Sequence, residues 1–90
     1  MKQTIDFTKE ERNDIAEFVY SEKADILIKS DAINLINVLH RHNIIKQPKY
    51  YIDSINNQKE GIVEELIKVL HSSITIDQMN ATMKEYYGGH

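Results

Sequence analysis

Cysteine is absent, which excludes disulfides, thiolate zinc sites and a cysteine nucleophile. Tryptophan is absent as well, proline occurs once, and two of the three glycines fall within the last three residues. A glycine-rich loop that cradles phosphate therefore cannot be built. No apolar run approaches the ~18 residues of a membrane span, and the N-terminus has no signal-peptide core. The expectation is a cytoplasmic chain with no membrane insertion. Apolar residues make up 41% of the sequence and charged residues 28%, a balance too apolar for disorder. Ninety residues suffice for a single domain with one small core. A deep cofactor pocket would compete with that core for the same side chains, and neither cofactor nor metal is expected.

The net charge of −3 is unevenly laid out. Residues 1–31 carry five bases and eight acids, residues 32–52 three bases and no acid, and residues 53–90 three bases and six acids. A basic centre thus sits between acidic flanks. It reads either as the most buried helix, where charge is unwelcome, or as a small anion- or partner-binding face. An acidic total argues against a dedicated nucleic-acid binder, whose affinity comes mainly from summed positive charge. Isoleucine, asparagine and lysine dominate, and their codons are A/T-rich. The coding DNA points to a low-GC bacterium or its phage.

The apolar residues recur with helical spacing. Thr8-Lys9-Glu10-Glu11 fits a capping box opening a helix over 9–20, with Ile15, Phe18 and Val19 inward and Ile5 and Phe7 covering its start. Residues 24–29 read as a short strand or a continued helix; a lone strand has no partner, so helix is preferred. Ser30 or Asp31 would cap the next helix, 32–42. Its wide stripe of Ala32, Ile33, Leu35, Ile36, Val38 and Leu39 marks the central rod, and Asn43 is a left-handed stop. Pro48 suits the first position of a helix over 48–56, with Tyr51, Ile52 and Ile55 inward. Asn57 with Glu60 resembles a cap for a helix over 58–72. That helix carries Ile62, Val63, Leu66, Ile67 and Leu70 inside and a Glu64–Lys68 pair outside. Thr75-Ile76-Asp77-Gln78 is another cap, and Ile76, Met79, Met83 and Tyr86 form the last stripe. Gly88 ends the helix, and residues 88–90 are expected to fray. The sum is an all-α fold, a compact bundle of five to six short helices with antiparallel neighbours in one domain over 1–90.

Catalytic constellations are missing. His40 and His42 point apart on a helix, His71 and His90 lie elsewhere, and no H-E-x-x-H spacing occurs. His40, His42 and His71 fall near helix C-termini, where the dipole favours an imidazolium. No serine sits in a G-x-S-x-G context. The pairs Glu10-Glu11 and Glu64-Glu65 fall on faces read as exposed, where nothing would shift their pKa. An enzyme is not expected.

Two binding readings remain. The stretch His40-Arg41-His42-Asn43-Ile44-Ile45-Lys46-Gln47-Pro48-Lys49-Tyr50-Tyr51 joins bases and tyrosines around a loop, the composition of a protein-binding hot spot. The candidate partner-binding residues are Arg41, His42, Lys46, Lys49, Tyr50 and, on the last helix, Tyr87. Arg41→Glu with Tyr50→Ala is expected to leave stability nearly unchanged. The alternative is a DNA-associated regulator with a helix-turn-helix at 62–87, presenting Gln78, Asn80, Thr82 and Lys84. The first reading is preferred: a small non-catalytic module that binds and regulates or inhibits a protein partner, with a homodimer as its simplest form. In size and helical make-up the chain is similar to small bacteriocin-immunity, antitoxin and phage accessory proteins, an analogy of shape alone.

Overall fold

Five helices account for the fold of the described residues, 4–88 of this computed structural model. They are α1 (Lys9–Lys23), α2 (Lys29–Arg41), α3 (Pro48–Asn56), α4 (Ile62–Ser73) and α5 (Ile76–Gly88). The expected all-α bundle is what the chain adopts. No helix among the described residues is long and apolar enough to cross a membrane.

The wide stripe of α2 makes it the centre. Ala32, Leu35, Ile36, Val38 and Leu39 are fully buried. The α1 face of Ile15, Phe18 and Val19 packs against it, and Phe7 folds under the start of α1. Polar contacts fasten both ends of this α1–α2 hairpin. At one end Glu11 meets Arg41 and His42; at the other, the buried Ser21 hydroxyl donates to Asp31 at 2.7 Å. Helix α3 packs on α2, and α4 on α3.

Helix α5 closes the structure on α1 rather than on its chain neighbour α4. Gln78 meets Ile5, Glu85 meets Arg12 and Tyr87 meets Tyr20, so α5 advances along α1 in the same sense. The expectation of antiparallel neighbours fails for this pair, because no short loop constrains helices so distant in sequence. The Gln78 amide forms a two-way pair with the Ile5 backbone, accepting from its N–H and donating to its carbonyl. The Arg12 guanidinium forks onto the Glu85 carboxylate at 2.8 and 3.2 Å and also donates to the Phe7 carbonyl.

Helix boundaries show where local signals won and lost. The Thr8 capping box forms in both directions. Pro48 opens α3 as expected. Thr75 caps Gln78 at 3.0 Å, but the Gln78 side chain reaches Ile5 instead of completing a box. Helix α1 runs on to Lys23, beyond the expected end near residue 20. Residues 24–29 do not continue it, because Asp25 turns left-handed at φ 57°. Helix α2 then starts at Lys29 with no side-chain cap, since the N-cap is Ile28 and both Ser30 and Asp31 already lie inside the helix. Asn57 does not open α4; it closes α3, and α4 starts at Ile62 after Gly61 at φ 84°. On α5, Ile76 is exposed while Thr82 is buried, so the inner face runs through Met79 and Thr82. Of the tail expected to fray at 88–90, Gly88 is instead the last helical residue of α5, and 89–90 lie outside the described residues.

One device ends three helices. After α1, Ile26 N–H bonds the Ser21 carbonyl and Asp25 N–H that of Glu22. After α2, Ile44 and Asn43 bond Leu39 and His40 in the same way, and after α3, Lys59 and Gln58 bond Ser54 and Ile55. These are Schellman closures, whose left-handed residue is usually glycine. Here Asp25, Asn43 and Gln58 fill it, at φ 57°, 61° and 53°. Glutamine gains least from local hydrogen bonding in this conformation. Gln58→Gly is expected to stabilise the fold by about 0.5–1 kcal/mol. For a chain this short that raises Tm by about 3–6 °C, measurable by thermal denaturation.

Candidate functional site

The six residues expected to form one binding face fall into three separate settings. Arg41 and His42 are both tied to Glu11, His42 half-buried and Arg41 still exposed. The capping box bends the Glu11 side chain back toward Thr8, whose N–H donates to Oε1 at 3.0 Å. The end of α2 arrives at the same point. His42 Nε2 donates to Oε1 at 2.9 Å and Arg41 Nε to Oε2 at 3.0 Å. The imidazole also meets the edge of Phe7, with ring centroids 4.7 Å apart.

This corrects the reading of Glu10-Glu11 as an exposed pair that nothing perturbs. Glu11 is only 6% exposed. Burial pushes its carboxyl up, but the hydrogen bonds from His42, Thr8 and Arg41 together outweigh burial and hold it at about 2. Two further expectations change with it. His42 is more than a helix-end histidine favoured by a dipole: its ring N–H anchors a buried carboxylate. Arg41→Glu would place a second carboxylate against Glu11, so unchanged stability is no longer expected of that substitution. The spacing of the capping box was the signal for Glu11; the arrival of α2 depends on tertiary packing.

Lys46, Lys49 and Tyr50 stay at the α2–α3 corner. Buried Ile45 pins the connection, and its carbonyl lies 3.0 Å from His40 Nδ1. Lys46 and Lys49 are exposed, and Tyr50 is 41% exposed. The Tyr50 ring stands edge-on to Tyr51 with centroids 5.1 Å apart. Lys59 Nζ donates to the Tyr50 hydroxyl at 2.7 Å and lies 4.8 Å from the ring centroid. The hydrogen bond to Tyr50 raises the Lys59 pKa. Lys59 went unnoticed in the sequence because only the α3 closure turns it back over Tyr50.

Tyr87 lies apart from this corner. It is 55% exposed, and its ring meets Tyr86 at 5.5 Å and Tyr20 at 6.2 Å, edge-on in both cases. It walls a groove of about 210 Å³ between α1, α4 and α5, floored by Phe18, Ile67, Met79 and Met83. Burial raises the Tyr86 pKa, and the Glu17 carboxylate adds to the rise. Tyr20 was not singled out because it lies off the inward stripe of α1.

Two of the four residues considered for base reading are engaged within the fold, while Asn80 and Lys84 stay exposed. Gln78 is bound to the Ile5 backbone, Thr82 is buried and Asn80 lines the groove. Glu85 of the same helix holds Arg12. Among the described residues, no group of three His, Cys, Asp or Glu side chains is placed to hold a metal ion. No family model matches the chain, and no curated protein or solved structure matches it.

The Glu11 node has a pH signature. Its folded-state value lies below the ordinary 4.5, so the ionised carboxylate favours the folded form above that pH. This contribution fades as pH falls from about 4.5 toward 2. Glu11→Gln keeps the shape but removes the charge and one acceptor, and is expected to cost about 2 kcal/mol at pH 7. Urea unfolding at pH 7, 4 and 2.5 should show the gap between wild type and variant closing as the medium becomes acidic.

Proposed function

We propose that the chain is a non-catalytic helical module that binds a partner protein and regulates or inhibits it through the α2–α3 corner. The observation that carries this reading is Tyr50, a large exposed ring that is nevertheless held in place. Tyr51 stands against its edge, and Lys59 engages both its hydroxyl and its face. An exposed side chain ordinarily loses about 0.5–1.5 kcal/mol of rotamer freedom on binding. A ring already fixed avoids much of that loss, which is the usual condition of an energetic anchor at an interface. Lys46 and Lys49 are exposed close to Tyr50 in the chain, so the matching partner surface offers an apolar pocket rimmed by carboxylates.

Arg41 and His42 act one step back in this reading. They hold the end of α2, and with it the corner, against the start of α1. Tyr87 belongs to a different surface and is not required. Loss of Arg41 would weaken the scaffold and the binding face together, so it makes a poor probe of binding alone.

Tyr50→Ala combined with Lys49→Glu removes the anchor and reverses one flanking charge, both at exposed positions away from the Glu11 node. The Tm of this variant is expected to stay within about 4 °C of wild type. Affinity capture from the native host is expected to yield a discrete stoichiometric protein with wild type and to lose it with the variant. Retention of that protein by the variant, or no stoichiometric protein with wild type, would remove the reading.

A further inference from the structure

The α1–α2 connection leaves apolar side chains facing solvent without a local reason. Ile26 and Ile28 are 59% and 55% exposed, while Leu27 between them turns inward. Beside them runs a groove made of two abutting hollows of about 350 and 270 Å³, which share Leu27, Lys59 and Val63. Its apolar floor is Leu27, Val63 and the buried Ile55 and Ile62. The loops on its rim are fixed by the left-handed residues Asp25, Gln58 and Gly61. The surface is therefore formed before anything binds.

The charges of this groove are sorted by end. Lys29 stands at one end; Glu22, Asp25 and Glu64 stand at the other. Lys59 lies between and is tethered to Tyr50. Two of these charges also oppose their own helix dipoles. Lys29 is the first residue of α2, where a cation is disfavoured, and Glu22 lies in the last turn of α1, where an anion is disfavoured. Neither forms an ion pair within the chain among the described residues.

We propose that this groove is a two-fold interface, and that its occupant is a second copy of the chain. A two-fold interface presents the same patch from both sides, so residue i meets j and j meets i. With the axis lying across the groove, the Lys29 end of each copy faces the Glu22, Asp25 and Glu64 end of the other. The protruding Ile26 and Ile28 of each copy then have the apolar floor of the other to enter. Both misplaced charges gain a counter-ion in the same step. A surface that carries its own complement in charge and in shape selects itself over an unrelated protein. The groove shares Lys59 with the Tyr50 corner, but none of Lys46, Lys49 or Tyr50 lines it.

Sedimentation velocity on the full chain from about 1 to 500 µM tests it. Wild type is expected to pass from monomer to dimer within this range. Ile28→Asp is expected to be monomeric throughout while remaining folded, since Asp at the N-cap of α2 supplies the side-chain cap that Ile28 lacks. Lys29→Glu and Glu22→Lys each improve the local helix dipole, so neither endangers folding. Lys29→Glu is expected to weaken dimerisation at least tenfold, and adding Glu22→Lys to recover part of that loss, since Asp25 and Glu64 remain at the acidic end. Wild type monomeric at 500 µM would overturn the proposal, as would Ile28→Asp still dimeric or a double variant no better than Lys29→Glu alone. Lys49→Glu alone is expected to leave the dimer intact; its loss in that variant would assign the contact to the α2–α3 corner and overturn the groove.

Discussion

The burial of one wide face of α2 is the constraint on which the other elements depend. A rod with five fully buried side chains among thirteen residues cannot carry charge on that face. That explains why α2 has no acid after Asp31 and why its Arg41 lies at the exposed end of the helix. It also explains the Glu11 node. The C-terminal end of α2 needs a counter-charge where it emerges from the core, and the capping-box glutamate of α1 supplies it. One carboxylate thus serves a local purpose, holding the start of its own helix, and a distant one, receiving Arg41 and His42.

Local and distant roles of this kind decide how far the sequence could be read. The central rod was legible because Ala32, Leu35, Ile36 and Leu39 repeat at helical spacing and are all buried. The Thr8 box, Pro48 and Asn43 were legible because their chemistry is contained in a few neighbouring residues. Errors arose where a polar residue had two uses. Asp31 looks like a cap, yet Ser21 holds it. Asn57 looks like a cap as well, but it sits where α3 closes. Gln78 satisfies half of a cap and spends its side chain on Ile5, seventy-three positions away. No pattern within a single helix announces such long-range partners.

The candidate site shows the same limit. Tyr50 was readable as exposed because Tyr51 and Ile52 fall on the inward side of the same turn. Its anchoring by Lys59 was not, since that depends on the left-handed closure at Gln58. Composition marks Arg41 and His42 as contact residues, and Arg41 is exposed even while it is bonded to Glu11. The buried acid that captures them belongs to another helix. Aromatic and basic composition located the right corner of the molecule, and the tertiary fold decided which of its side chains were already engaged.

The closure of α5 on α1 bears on how the chain is made. The pairs that bind Ile5 to Gln78 and Arg12 to Glu85 each span seventy-three positions, so α1 receives this neighbour only long after it has itself been made. The α1–α2 hairpin can zip while the chain is still on the ribosome, because its contacts are close in sequence. Phe18 and Val19 border the groove beside α5, so that side of α1 stays uncovered until α5 has been synthesised. A nascent chain stalled before α5 would therefore carry a greasy seam along its leading helix, and the cell's holding chaperones would meet this protein first through that seam.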